Sequence, residues 1–182
     1  MAWDPTLLNE PLERRIDILY NKFVNGYDTK TGQKFSLGGC CPTKFISRRA
    51  FDLIVNSGIL SEMSDEIKQK FLSREITGPE LNSMMRSNKR LTTLGLTFDH
   101  TIPVEVAYQW LTTDVSRMTR DVLKNILTND ILVICLITKF ENELLDNAGL
   151  KQKMTTNWDR ELSKSNVFCR YEMAGIEPLQ IR

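Results

Sequence analysis

The sequence predicts an α+β fold: a mainly helical domain built around a small antiparallel hairpin and the helix that follows it. Three observations predict this. Apolar residues recur at helical spacing through the first half, the stretch 91–98 is rich in Leu, Thr and Phe, and Ile131–Thr138 is a β-branched apolar run. The 182 residues are 41% hydrophobic and 26% charged, which suits one compact domain. Within it we distinguish a helical segment, 1–90, from a segment that carries the strands, 91–182.

Each element has a local signal. Asn9 is placed to cap a first helix with Pro11 in its first turn, and Leu12, Ile16, Leu19 and Phe23 follow on one face before Gly26. The turn residues of 27–42 predict a loop or short hairpin. Helices are expected from Ser47 to Asn56, after the cap Ser64, and from Pro79 through Met85. Leu91–Phe98 reads as a strand, and Pro103 opens a helix over Val104–Leu111. Val115–Leu127 reads as an amphipathic helix, Ile131–Thr138 as a buried strand, and Lys139–Asn147 as a helix closed by Gly149. The tail, 166–176, is expected to add a short strand.

No apolar run approaches the roughly 20 residues of a bilayer span. The first ten residues lack the basic start and apolar core of a secretory signal, so a cytoplasmic location away from membranes is expected. The cysteines, Cys40, Cys41, Cys135 and Cys169, do not follow zinc spacing and read as reduced structural thiols. Net charge is +1, but its distribution is uneven. Residues 29–51 hold five cations (Lys30, Lys34, Lys44, Arg48, Arg49) and no acid, and residues 81–98 hold three more (Arg86, Lys89, Arg90), again with no acid. Lys44, Arg48, Arg49, Arg86, Lys89 and Arg90 are candidate phosphate contacts.

The chain has one histidine. It stands in Phe98-Asp99-His100-Thr101-Ile102-Pro103, at the end of an expected strand, and a later strand leads into a helix bearing Glu141 and Asn142. This pattern resembles the ββα-metal (HNH, His-Me finger) nucleases, whose first motif is commonly Asp-His followed by Pro and whose last is a His or Asn on the helix. The resemblance spans about 91–149. It implies a metal-dependent endonuclease acting on DNA, expected to be double-stranded, with Mg²⁺ (or Mn²⁺) held by Asp99 and Asn142. It also implies His100 as the base that activates water, with Asn129, or second Asn125, as the middle motif. The chemistry suits the residue types: a hard cation offsets charge on the phosphate, and a neutral imidazole takes a proton from water.

Two departures from the family stand in the sequence. His100 and Asn142 are 142 − 100 = 42 residues apart, longer than compact members of that family, which leaves Glu141 or Asp146 as alternative ligands. The zinc-stabilising cysteine pairs are absent. Alternation along a strand also turns adjacent side chains to opposite faces, so Asp99 and His100 share a site only if the strand ends or kinks between them. Asp99 paired with an arginine such as Arg90 is the structural alternative. Cleavage of both strands of a symmetric site would suit a homodimer. The competing functions are a non-catalytic nucleic-acid-binding protein and a partner-binding regulatory protein.

Overall fold

The computed structural model describes residues 10–24, 41–112, 119–156, 158 and 167–182. In chain order the elements are α1 (Leu12–Val24), β1 (Thr43–Ser47), α2 (Arg48–Asn56), a 3-10 turn (Ile59–Glu62), α3 (Asp65–Leu72), α4 (Gly78–Ser87) and α5 (Lys89–Thr93). They continue as β2 (Leu96–His100), α6 (Val104–Thr112), α7 (Arg120–Thr128), β3 (Ile134–Thr138), α8 (Lys139–Asn147), α9 (Cys169–Met173) and β4 (Pro178–Gln180). The fold is α+β, mainly helical, around one mixed four-stranded sheet in the order β2-β3-β1-β4.

The local reasons are those of capping and periodicity. Ser47, Ser64, Thr77, Thr119 and Thr138 each accept a backbone N–H from the first turn of the helix they precede, satisfying a donor that the helix itself leaves free. Thr77–Glu80 and Thr138–Glu141 are reciprocal capping boxes. Gly149 takes φ +69° just beyond α8, the left-handed conformation that closes a helix. Asn9, Gly26, most of 27–42 and the start of the expected helix at 115 lie outside the described residues, as do Lys30 and Lys34.

Three stretches differ from expectation. β1 was not anticipated: Thr43-Lys44-Phe45-Ile46-Ser47 is only five residues and sits beside turn residues. It gains its strand character by pairing on both sides, parallel to β3 and antiparallel to β4. The strand expected at 91–98 is divided. Asn88 caps the short helix α5, and Gly95 at φ +68° turns the chain into β2. In the tail, helix α9 replaces the expected strand, and the strand comes later, at Pro178.

Because β1 belongs to residues 1–90 while its partners β3 and β4 belong to 91–182, both segments build one sheet. One face, carrying Ile46, Leu136 and Leu179, packs on Ala50 and Ile54 of α2, Phe71 of α3 and Leu81 and Met85 of α4. The opposite face, carrying Phe45, Cys135 and Ile137, packs on Leu145 of α8 and Tyr171 of α9. A third cluster joins Ile16 and Leu19 of α1 to Leu111 of α6 and to Leu123 and Ile126 of α7, at the entry of β3.

Candidate functional site

β2 and β3 are antiparallel neighbours and α8 follows β3 directly, so the strand–strand–helix order is present. Its register decides what that order brings together. Asp99 lies across from Cys135, and His100 lies across from Ile134. Pairing continues past His100, where the Thr101 N–H donates to the Val133 carbonyl at 3.0 Å. The strand therefore neither ends nor kinks between Asp99 and His100. Asp99 faces the α8–α9 side and His100 the other side, as alternation requires.

Asp99 has a partner set of its own, and it is Arg170 rather than Arg90. The Arg170 guanidinium donates to Asp99 Oδ2, and the Tyr171 hydroxyl donates to the same oxygen at 2.6 Å. Arg170 is fully buried. Its remaining donors go to backbone: Nε to the Thr101 carbonyl at 2.9 Å, Nη1 to Leu150 at 3.0 Å, and Nη2 also to His100. One guanidinium thus ties α9 to the end of β2 and to the connection after α8. Burial pushes the Asp99 carboxyl up, and Arg170 and Tyr171 pull against that rise. Arg90 instead pairs with Glu62 at the surface.

His100 carries no such network. Its Nε2 is closed to solvent and has no hydrogen-bond partner. Burial, reinforced by the nearby Arg170 charge, lowers its pKa to about 4, so the ring is neutral at pH 7. A sealed nitrogen is poorly placed to take a proton from attacking water.

Of the helix residues expected as metal ligands, Glu141 and Asp146 have other roles. Glu141 is buried. Its Oε2 accepts from the Thr138 N–H (2.8 Å), the Thr138 hydroxyl (2.9 Å) and the Ser47 hydroxyl (2.7 Å). Asp146 pairs with Lys151 at 3.0 Å on the surface. Asn142, half-buried, lies in the first turn of α8. That helix departs from the Thr138–Leu96 end of the β2–β3 pair, whereas His100 lies at the Ile134 end. Four strand residues, about 13 Å, separate the two ends. Asn129 is exposed at the end of α7, where its side-chain amide donates to Asn125.

These residues do not fit a divalent cation. Asp99 Oδ2 is engaged by the buried Arg170 guanidinium and the Tyr171 hydroxyl, and Asn142 starts from the far end of the β2–β3 pair. Among the described residues no three His, Cys, Asp or Glu side chains gather to hold an ion. The expected pairing of Asp99 with Asn142 is not seen: Asp99 instead joins Arg170 and Tyr171, and the two residues lie at opposite ends of the β2–β3 pair.

The chain matches no family model, no curated protein and no solved structure. Its function has to be argued from its own residues.

The basic residues separate into groups. Arg48 and Arg49 open α2 at the carboxyl end of β1, with no acid in that first turn. Lys44 lies toward the amino end of the same strand. Lys89 and Arg90 are on α5, and Arg86 is near the end of α4. At the carboxyl end of the parallel β1–β3 pair, α2 and α8 start side by side. The shared contact of Ser47 and Thr138 with Glu141 shows how close their N-termini are. The Arg49 guanidinium lies 4.3 Å from the centre of the Phe140 ring, which is 47% exposed, and Lys139 stands next to it. Arg48 reaches Glu177 at 3.2 Å.

Sequence reasoning missed Arg170 and Tyr171. Both lie in the tail, where the sequence predicts a short strand, and a buried arginine has no apolar periodicity to reveal it. The only available signal was arithmetic: a buried Asp99 needs a cation, and several cations compete for that role.

Proposed function

We propose that this protein binds nucleic acid without cleaving it, through the surface where α2 and α8 begin. The observation that carries the reading is the Arg49–Phe140 pair, a cation lying over an exposed aromatic ring between two helix N-termini. Helix N-termini carry partial positive charge and suit phosphate. A guanidinium donates to phosphate oxygens in fork geometry, and an exposed ring offers a base a stacking face. Lys139 adds charge beside the pair, while the Arg48 guanidinium is engaged by Glu177. Glu141 is turned inward to the two caps and does not oppose an anion at the surface. The metal-dependent endonuclease implied by Asp99-His100 is not carried forward here, because Asp99 Oδ2 is engaged by Arg170 and Tyr171 and His100 Nε2 is closed to solvent.

The test is fluorescence anisotropy with labelled single- and double-stranded DNA across a salt series. Affinity should fall steeply with salt. Arg49→Glu should weaken binding at least about 10-fold, the scale of one lost charge-assisted contact turned to repulsion. An acid at this position suits the α2 dipole, so the variant should fold. Phe140→Ala should cost several-fold. Wild-type affinity in both variants would sink the proposal. So would Mg²⁺-dependent plasmid nicking that disappears in His100→Ala.

A further inference from the structure

At the other end of β1, away from the Arg49–Phe140 surface, lies a cavity of about 440 Å³. Its walls are the start of β1, the start of α4, Arg15 of α1, and Arg182 just after β4. Its size falls within the range of small-ligand sites. Among the described residues three cations line it, Arg15, Lys44 and Arg182, and no acidic side chain does.

The three cations come from separate parts of the chain and are brought together by the sheet. The Ile181 N–H donates to the Lys44 carbonyl at 2.9 Å, which sets Arg182 alongside the start of β1. Gly78 allows the fourth wall: a Cβ there would stand 2.3 Å from the Thr43 carbonyl oxygen, so α4 approaches β1 this closely only with glycine. Asn82 of α4 accepts the Thr43 hydroxyl at 3.4 Å across the same junction. None of the three cations forms an ion pair among the described residues. Arg15 Nε is in addition closed to solvent with no hydrogen-bond partner. The nearby carboxylate, Glu80, is committed to Thr77 and to Lys70 at 2.8 Å. The α4 cap is thus self-satisfied, and the attraction for an anion rests on the side chains.

Three like charges lining one cavity repel one another, and a guanidinium N–H withheld from water carries a desolvation cost. An anion with several oxygen acceptors relieves both. We infer that this cavity is a binding site for a small phosphate-bearing ligand, held by Arg15, Lys44 and Arg182. It is distinct from the surface proposed above for nucleic acid.

Pyrophosphate is the probe. Thermal unfolding and isothermal calorimetry are followed with pyrophosphate and with sodium chloride at matched ionic strength. The unfolding midpoint should rise with pyrophosphate concentration beyond the chloride control, as for any ligand that binds only the folded state. Lys44→Ala and Arg182→Ala, both partly exposed and outside the core, should each weaken pyrophosphate binding about 10-fold. Arg49→Glu should leave pyrophosphate affinity unchanged. The site is overturned by a midpoint that follows ionic strength alone, or by wild-type pyrophosphate affinity in both cavity variants. Its separateness is overturned if Lys44→Ala weakens DNA and pyrophosphate equally. Failure of DNA binding with pyrophosphate binding intact would remove the nucleic-acid reading and leave this site standing.

Discussion

Acid should destabilise this protein through one imidazole. His100 is the only histidine, so its contribution can be isolated by one substitution. Its folded-state pKa is about 4 against an ordinary 6.5. The folded state therefore resists a proton that the unfolded chain accepts. The stability this group contributes is fully present above pH 6.5 and is lost as pH falls toward 4. The gap is 6.5 − 4 = 2.5 pH units. At about 1.4 kcal/mol per unit, the full loss is about 3.5 kcal/mol, of which about 3 kcal/mol is gone by pH 4. Carboxylates also lose stability in acid. Glu80, held at about 2 first by Lys70 and then by Thr77, loses its contribution as pH falls from its ordinary 4.5 toward 2, mostly below the histidine window. Urea unfolding from pH 7.5 to 4 should show wild type losing about 3 kcal/mol more than His100→Gln. The single imidazole resonance in NMR should titrate near 4 in the native state. A native midpoint near 6.5, or parallel stability curves for the two proteins, would refute the withdrawal of Nε2 from solvent.

Other perturbations follow from the same packing. Asp99→Asn leaves Arg170 buried without its counter-charge and should cost about 3–5 kcal/mol in denaturant unfolding. Asp99→Asn with Arg170→Met should recover part of that loss, because the orphan charge is gone. His100→Phe removes a buried polar atom without a partner and should be neutral to about 1 kcal/mol stabilising at pH 7.5, read from the same urea curves. Gly78→Ala drives a methyl into the Thr43 carbonyl and should cost about 3 kcal/mol or more by thermal unfolding, by forcing α4 away from β1. Ser47→Ala removes both the α2 cap and a bond to buried Glu141, and should cost about 1–2 kcal/mol in urea.

The sequence determined most of the helices and one strand by itself. Ser64, Thr119 and Thr138 lie next to runs with the right period, and capping and periodicity act within a few residues. Ile131–Thr138 is apolar and β-branched enough to be recognised as buried strand without knowing its neighbours, although only Ile134–Thr138 pairs as strand. The tertiary structure alone decided the rest. β1 is a strand because two distant strands supply its hydrogen bonds, and no local signal encodes partners some 90 and 135 residues away. The Asp99-His100 dipeptide looked like a catalytic pair because sequence adjacency hides which face a side chain takes. The antiparallel register with β3 assigned Asp99 to Arg170 and Tyr171 and left His100 on the other side. The same sheet separated the basic residues that the linear strip had grouped, sending Arg49 to Phe140 and Lys44 to a cavity with Arg15 and Arg182. Charge and burial are properties of neighbours in space, and in this chain the decisive neighbours are contributed by remote segments.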